Sequence, residues 1–263
     1  MLKLLTSIAL LCALVSMPFI AHADGWQKPR VVIYGENSYP PYSFEVDGKP
    51  DGIYYRILKK ATQRMPDYDV KFIMLPWKRI LDMAEHGNLF AFFPPYYRPK
   101  HRPYLSEYSH PIYTEETIVC CKTLHQPRRQ WPQDYRHLRF GNQNGYLAGK
   151  GVLSDLAEKG LIELEETNGL PANLRKLLNN RIDCLITDKD ALTWTLTNVI
   201  GEDSLSQISI EVTLDKENGY VAYSGKYDAP YRRDFIDTLN EIIIDMHSSG
   251  EIQAIATSVL ENR

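Results

Sequence analysis

Between Phe92 and Tyr113 the chain reads FFPPYYRPKHRPYLSEYSHPIY, with Arg102 seven residues before Ser109-His110-Pro111-Ile112-Tyr113. A planar guanidinium offers a carboxylate two parallel donors, and in a water-poor cleft that contact is strong and directional. An arginine among aromatics proves nothing alone, since most arginines are solvated, so its surroundings decide. Glu36, His101 and His110 are groups able to move a proton. No nucleophile elbow, no HExxH metal-ligand spacing and no phosphate loop accompanies them, so neither a catalyst nor a cofactor is expected. Cys120, Cys121 and Cys184 are the cysteines after residue 23, and their spacing is not that of a zinc site. Adjacent Cys120 and Cys121 point to opposite faces of a strand, so only one of them could meet Cys184. One bridge plus a free thiol, or three buried apolar fillers, both remain open.

The 263 residues suffice for one large domain or two lobes. A formal charge of -3 gives no basic footprint for nucleic acid. Seventeen tyrosines against eight phenylalanines tilt the aromatics toward rings with a polar tip, suited to a wet cleft. Residues 1–23 have the pattern of an export signal: Lys3, an apolar run from Leu4 to Val15, and Ala21-His22-Ala23 as the cleavage site. Ser7, Ser16 and Pro18 interrupt the run that a membrane anchor would need, so a periplasmic product cleaved after Ala23 is expected. Later in the chain no stretch is long and apolar enough to span a bilayer.

Strands and helices alternate along the rest. Arg30–Tyr34 is a β-branched strand, and the two prolines in Glu36–Phe44 hold an extended loop. After the Asp51-Gly52 turn, Ile53, Ile57, Ala61 and Met65 fall at helical spacing up to Pro66. Val70–Leu75 is the next strand, Trp77–His86 a helix closed by Gly87, and Leu89–Phe93 a third strand. Thr114–Lys122 reads as a crossing into a second lobe. Leu138–Gly145, Leu161–Glu165, Gln207–Val212 and Gly219–Ser224 read as strands, the last being the return crossing. Ala172–Asn180 is a helix, and Pro230–Glu261 is helical with a break at Gly250.

Six segments, in order, resemble the family 3 bacterial extracellular solute-binding proteins over about residues 30–260. Arg102 with the following S-x-P-x-Y is similar to the family's TPERxxxxDFSDPYY, where the arginine grips a ligand carboxylate. Tyr39-Pro40-Pro41-Tyr42-Ser43-Phe44 resembles xYPPFSF, whose tyrosine lies against the ligand, with an acidic residue three positions earlier, here Glu36. Gly52 and Ile57 fit G-x-x-x-x-L, and the aromatic opening the next family helix packs over the ligand, here Trp77. Leu138–Gly145 resembles kvGvqxGt; Gly145 holds the glycine, and Tyr146 stands where Thr or Ser is usual. Asn180–Asp188 is close to G-x-x-D-A-x-x-x-D, whose last Asp receives the ligand ammonium, here Asp188, which could also cap the next helix. The closing helix-Gly-helix fits as well.

Departures are informative. Pro94, Pro95, Tyr96 and Tyr97 replace small hydroxyl residues and backbone amides, and proline has no N–H for a carboxylate. His101 replaces a Glu, and His110 the Asp of SDP. The resemblance implies an α/β, two-lobe type II periplasmic-binding fold, each lobe a mostly parallel sheet flanked by helices, joined by two hinge crossings. The expected division is 24–115 with 221–263 for one lobe and 116–220 for the other. The implied function is capture of a small anionic or zwitterionic, amino-acid-like ligand for an ABC importer. Arg102 and Asp188 would face each other across the cleft, with Tyr39 and Trp77 as flat walls. Tyr96, Tyr97 and Tyr146 crowd the site toward a flat or larger solute. A sensor domain docking on a membrane partner, or a dehydratase-like enzyme, are the alternatives. A monomer with no cofactor, metal or nucleic acid is expected.

Overall fold

The computed structural model describes residues 28–123, 128–143, 150–167 and 169–261. The chain opens with β1 (Arg30–Glu36), where Val31, Ile33 and Gly35 are buried in alternation. The expected loop that follows is structured: β2 (Ser38–Tyr39), β3 (Ser43–Val46) and β4 (Lys49–Asp51) make a small antiparallel sheet. Gly52, at φ +114°, then turns the chain into α1 (Ile53–Thr62); a Cβ here would also lie 2.5 Å from the Tyr42 carbonyl oxygen. Then come β5 (Asp69–Leu75), α2 (Trp77–Glu85), β6 (Ala91–Phe93) and β7 (Leu105–Tyr108). The long β8 (Tyr113–Lys122) leads into β9 (Arg139–Gln143), α3 (Lys150–Glu158), β10 (Glu163–Thr167) and α4 (Leu170–Leu178). β11 (Cys184–Asp188), α5 (Lys189–Thr195), β12 (Ile208–Gly219) and β13 (Ala222–Ser224) follow, and α6 (Arg232–Ser248) and α7 (Glu251–Leu260) close the chain.

These strands form two five-stranded sheets, ordered β5-β1-β6-β13-β7 and β10-β9-β11-β8-β12. In the first, β13 runs against both neighbours while β5, β1 and β6 pair in parallel. In the second, β8 is the reversed strand and β10, β9 and β11 are parallel. The sheets are therefore mixed, and the odd strand in each is the one that arrives from the other half of the molecule. This is the two-lobed α/β architecture that the sequence leads one to expect.

Two crossings join the halves, and they are bonded to each other. β8 and β12 pair from Tyr113↔Gly219 to Lys122↔Ile208, with bulges near Ile210 and Thr213, so β12 continues well beyond the predicted Val212. The predicted Gly219–Ser224 strand is broken at Tyr220 and Val221, where the chain changes sheets. Ser109 of the S-x-P-x-Y segment fixes that junction: its N–H donates to the Val221 carbonyl (2.8 Å), and its Oγ accepts from the Val221 N–H (2.9 Å).

α1, α6 and α7 pack with the first sheet in a core containing Val31, Ile33, Ile57, Phe235 and Leu239, which extends to Ile118, Leu174 and Leu185 of the second half. Beneath α2, Ile80, Ala84, Phe92 and Leu105 fill the opposite side of the first sheet. A third cluster, with Val119, Phe140, Leu153 and Ile186, fills the outer face of the second sheet. β8 shows the strand alternation directly: Ile118 and Cys120 enter one core, Val119 and Cys121 the other. Cys121 lies opposite Cys184 in the ladder and is disulfide-bonded to it, while Cys120 is a buried free thiol. One bridge plus one thiol is thus the outcome of the two alternatives. No helix of the described residues is long and apolar enough to cross a membrane.

Candidate functional site

Parallel strands release their chains at one edge of each sheet, and α/β proteins place ligand groups in the crevice there. Glu36 ends β1, its neighbour Leu75 of β5 leads through Pro76 to Trp77, and β6 leads to Pro94–Tyr97. From the other half, Asp188 ends β11. The junction between the sheets brings Tyr96 and Asp188 together with Glu115 of β8.

Asp188 is 1% exposed and caps α5: Oδ1 accepts from the backbone N–H of Asp190 (2.8 Å) and Ala191 (3.0 Å). The same oxygen accepts from the Tyr42 hydroxyl, which reaches it from the other half of the molecule. Its second oxygen, Oδ2, is buried without a hydrogen-bond partner. Burial pushes this carboxyl up to about 7.

Glu115 is 2% exposed and collects three phenols. Tyr54 of α1 donates to Oε1 (2.7 Å), while Tyr39 (2.6 Å) and Tyr96 (2.5 Å) donate to Oε2. Burial, then the nearby Asp188 charge, push Glu115 up to about 8 against the opposing effect of the three hydroxyls. Asp190 accepts from the Tyr113 hydroxyl (2.8 Å) and is raised by burial, and burial raises Glu36 to about 7. No ion pair involves Glu36, Glu115, Asp188 or Asp190 among the described residues.

Arg102 is half-buried beside Trp77, its guanidinium carbon 5.3 Å from the ring centroid. Trp77 also packs on Phe92 at 5.6 Å. Nη1 of Arg102 is buried without a hydrogen-bond partner, and the guanidinium makes no ion pair among the described residues. Burial lowers its pKa, so the charge is held at the expense of solvation and without a counter-charge.

The family model for bacterial extracellular solute-binding proteins, family 3, matches residues 31–261. The chain belongs to this family. Among solved structures, this solute-binding protein is similar to the probable amino-acid ABC transporter extracellular-binding protein ytmK from Bacillus subtilis. The TM-score is 0.74 at 11% identity, covering 89% of this chain and 98% of that one. The substrate-binding protein AbpA from Streptococcus pneumoniae, solved bound to L-arginine, matches at TM-score 0.65 and 16% identity, covering 89% of this chain and 95% of that one. A histidine kinase sensor domain with similarity to periplasmic binding proteins matches at TM-score 0.67 and 15% identity, over 88% of this chain and 96% of that one. At such identities these structures show the fold alone. No curated protein matches the chain.

The solute-binding protein distributes its expected site residues over two groups. Tyr39 belongs to the carboxylate–phenol group with Asp188, and Glu36 is a partly buried carboxyl at the end of β1. Trp77 and Arg102 form the other group. Arg102 and Asp188 make no contact with each other, and Tyr39 packs on Tyr42 (5.0 Å) rather than on Trp77. Tyr97 lies outside both, 56% exposed against Tyr108 (4.9 Å) and Tyr220 (6.3 Å). Gly145 and Tyr146 lie outside the described residues. His101 and His110 are both exposed, and His110 faces His247. Glu115 and Tyr42 are additions. In Thr-Glu-Glu-Thr neither acid stands out, and only strand alternation, which turns Glu115 inward and Glu116 outward, separates them.

Proposed function

We propose that this solute-binding protein captures a small zwitterionic, amino-acid-like solute in the crevice between its halves and delivers it to an ABC importer. Arg102 takes the carboxylate, Asp188 takes the ammonium through its free Oδ2, and Tyr39 and Trp77 bracket the flat part. Glu36 adds negative charge at the rim. Tyr97, Gly145 and Tyr146 are further candidate contacts of the solute. The lobes divide as 24–115 with 221–263 and 116–220, and residues 1–23 direct export and are removed after Ala23, which makes the working protein periplasmic. It acts as a monomer.

One observation carries this reading: a half-buried guanidinium, stacked on a tryptophan, whose buried Nη1 meets no acceptor among the described residues. Burying one N–H of a charged group without an acceptor is unfavourable, so its retention fits a partner that arrives from outside. Closure would then strengthen the contact by excluding water. The test is a thermal-shift and calorimetric panel of amino acids and organic acids. Binding of a solute with a carboxylate and an ammonium, and none by analogues lacking the carboxylate, is expected. A panel that leaves the melting temperature and heat unchanged throughout overturns the reading. The structural likeness to a kinase sensor domain favours sensing as the second role. Deletion of the gene distinguishes the two: lost uptake of the identified solute supports delivery, and intact uptake supports sensing.

A further inference from the structure

Glu115 is the feature of this site that the proposed zwitterion leaves unexplained. A zwitterion brings one positive charge, and Asp188 accounts for it. Yet two carboxyl groups, both almost wholly removed from water, stand close enough for the Asp188 charge to disfavour ionisation of Glu115. No lysine or arginine of the described residues pairs with either. A buried carboxyl stays ionised only beside a cation or a metal and otherwise holds its proton, and no such cation stands among the protein's own described side chains. The Asp188 oxygen Oδ2 is a buried acceptor with no donor, which points independently to a donor supplied from outside.

The surroundings of Glu115 indicate what that donor is. Tyr39 of β2, Tyr54 of α1 and Tyr96 beyond β6 present hydroxyls to Glu115, while Tyr42 meets Asp188 and Tyr113 meets Asp190. Three phenols leave Glu115 with remaining acceptor capacity, since an ionised carboxylate has about four lone-pair sites. A protonated amine or guanidinium entering here exchanges neutral O–H donors for charged N–H donors, which make roughly twofold stronger bonds to a carboxylate. The rings supply aromatic faces, which attract cations. An uncharged side chain would gain neither.

We propose that Glu115 is a specificity-determining residue that, beside Asp188, reads a second positive charge on the solute, so that the preferred ligand is a basic amino acid. This rests on the solute-binding reading above and narrows it.

The test compares isosteres that differ in one charge: L-arginine against L-citrulline, and L-lysine against L-norleucine, by calorimetry at neutral pH. For the wild type, the basic member should bind on the order of 30-fold more tightly, the usual effect of one hydrogen-bonded charge. Glu115→Gln keeps an acceptor for the phenols and should bring that ratio close to one while the neutral member still binds. Should that variant fail to fold, the wild type suffices. Titration in two buffers of different ionisation heat should show more proton release with the basic member than with the neutral one, because both bring an ammonium to Asp188 and only the basic member brings a second cation that favours ionised Glu115. Equal affinity for the isosteres, an unchanged ratio in Glu115→Gln, or no difference in proton release overturns the assignment of Glu115 and leaves the solute-binding reading in place. Absence of binding by every amino acid overturns both.

Discussion

Arg102→Ala separates ligand binding from stability, because the structure gives the side chain a large role in one and a small role in the other. Removing one member of a buried, hydrogen-bonded charge pair costs about 2–5 kcal/mol. Arg102 is only half-buried, so the lower part of that range applies, about 2–3 kcal/mol, or roughly 30- to 150-fold in affinity. In the unliganded protein the guanidinium makes no ion pair and its buried Nη1 meets no acceptor among the described residues, so little is lost there. What disappears is the stacking on Trp77, worth about 0.5–1 kcal/mol, and the relief of a desolvated charge opposes it. Titration calorimetry with the best solute of the panel, alongside thermal melts of ligand-free protein, checks both. Arg102→Lys should fall between, since an ammonium keeps the charge and loses the planar fork. An Arg102→Ala variant that binds within threefold of wild type refutes the argument, as does one that melts far lower without ligand, which would make Arg102 a structural residue.

Three further outcomes follow from particular contacts. Glu36, Asp188 and Glu115 have folded-state pKa values raised to about 7, 7 and 8. Their contribution is therefore full below the ordinary carboxyl range and is lost as pH rises through those values, so ligand-free protein should melt at lower temperature at pH 8 than at pH 5, and Glu115→Gln should flatten that slope. A melting temperature that climbs from pH 5 to pH 8 contradicts this. Thiol labelling of unreduced, denatured protein should modify Cys120 and spare Cys121 and Cys184. Reduction should destabilise the fold by about 4 kcal/mol, the entropy of closing a loop of this length, for the two sulfurs are 63 residues apart. Gly219→Ala would set a methyl 1.9 Å from the Tyr54 hydroxyl and 2.5 Å from its ring. Because that ring is fully buried and bonded to Glu115, overpacking of about 1–3 kcal/mol is expected in denaturant melts. Unaltered stability would show that Tyr54 can move aside.

The sequence by itself determined the elements and their order. The β-branched run Arg30–Tyr34, helical spacing from Ile53 to Met65, and glycines at 52, 87 and 250 are local signals, and local backbone preferences act wherever the chain lies. The resemblance to the family's motifs also made Arg102, Asp188, Tyr39 and Trp77 legible as candidates, because each holds the motif position to which the family gives a ligand contact. Alternation alone showed that only one of Cys120 and Cys121 could reach Cys184. Which one was decided by the register of β11 on β8, set by the packing of two sheet faces. β7 and the continuation of β12 were likewise decided by partners distant in the chain. Glu115 is the clearest case. Its three phenol donors lie 76, 61 and 19 residues away, and nothing in a Thr-Glu-Glu-Thr run distinguishes a solvated acid from a buried one. Only when the two halves fold against each other do those hydroxyls converge and remove the water, and that desolvation turns an ordinary glutamate into a candidate reader of charge.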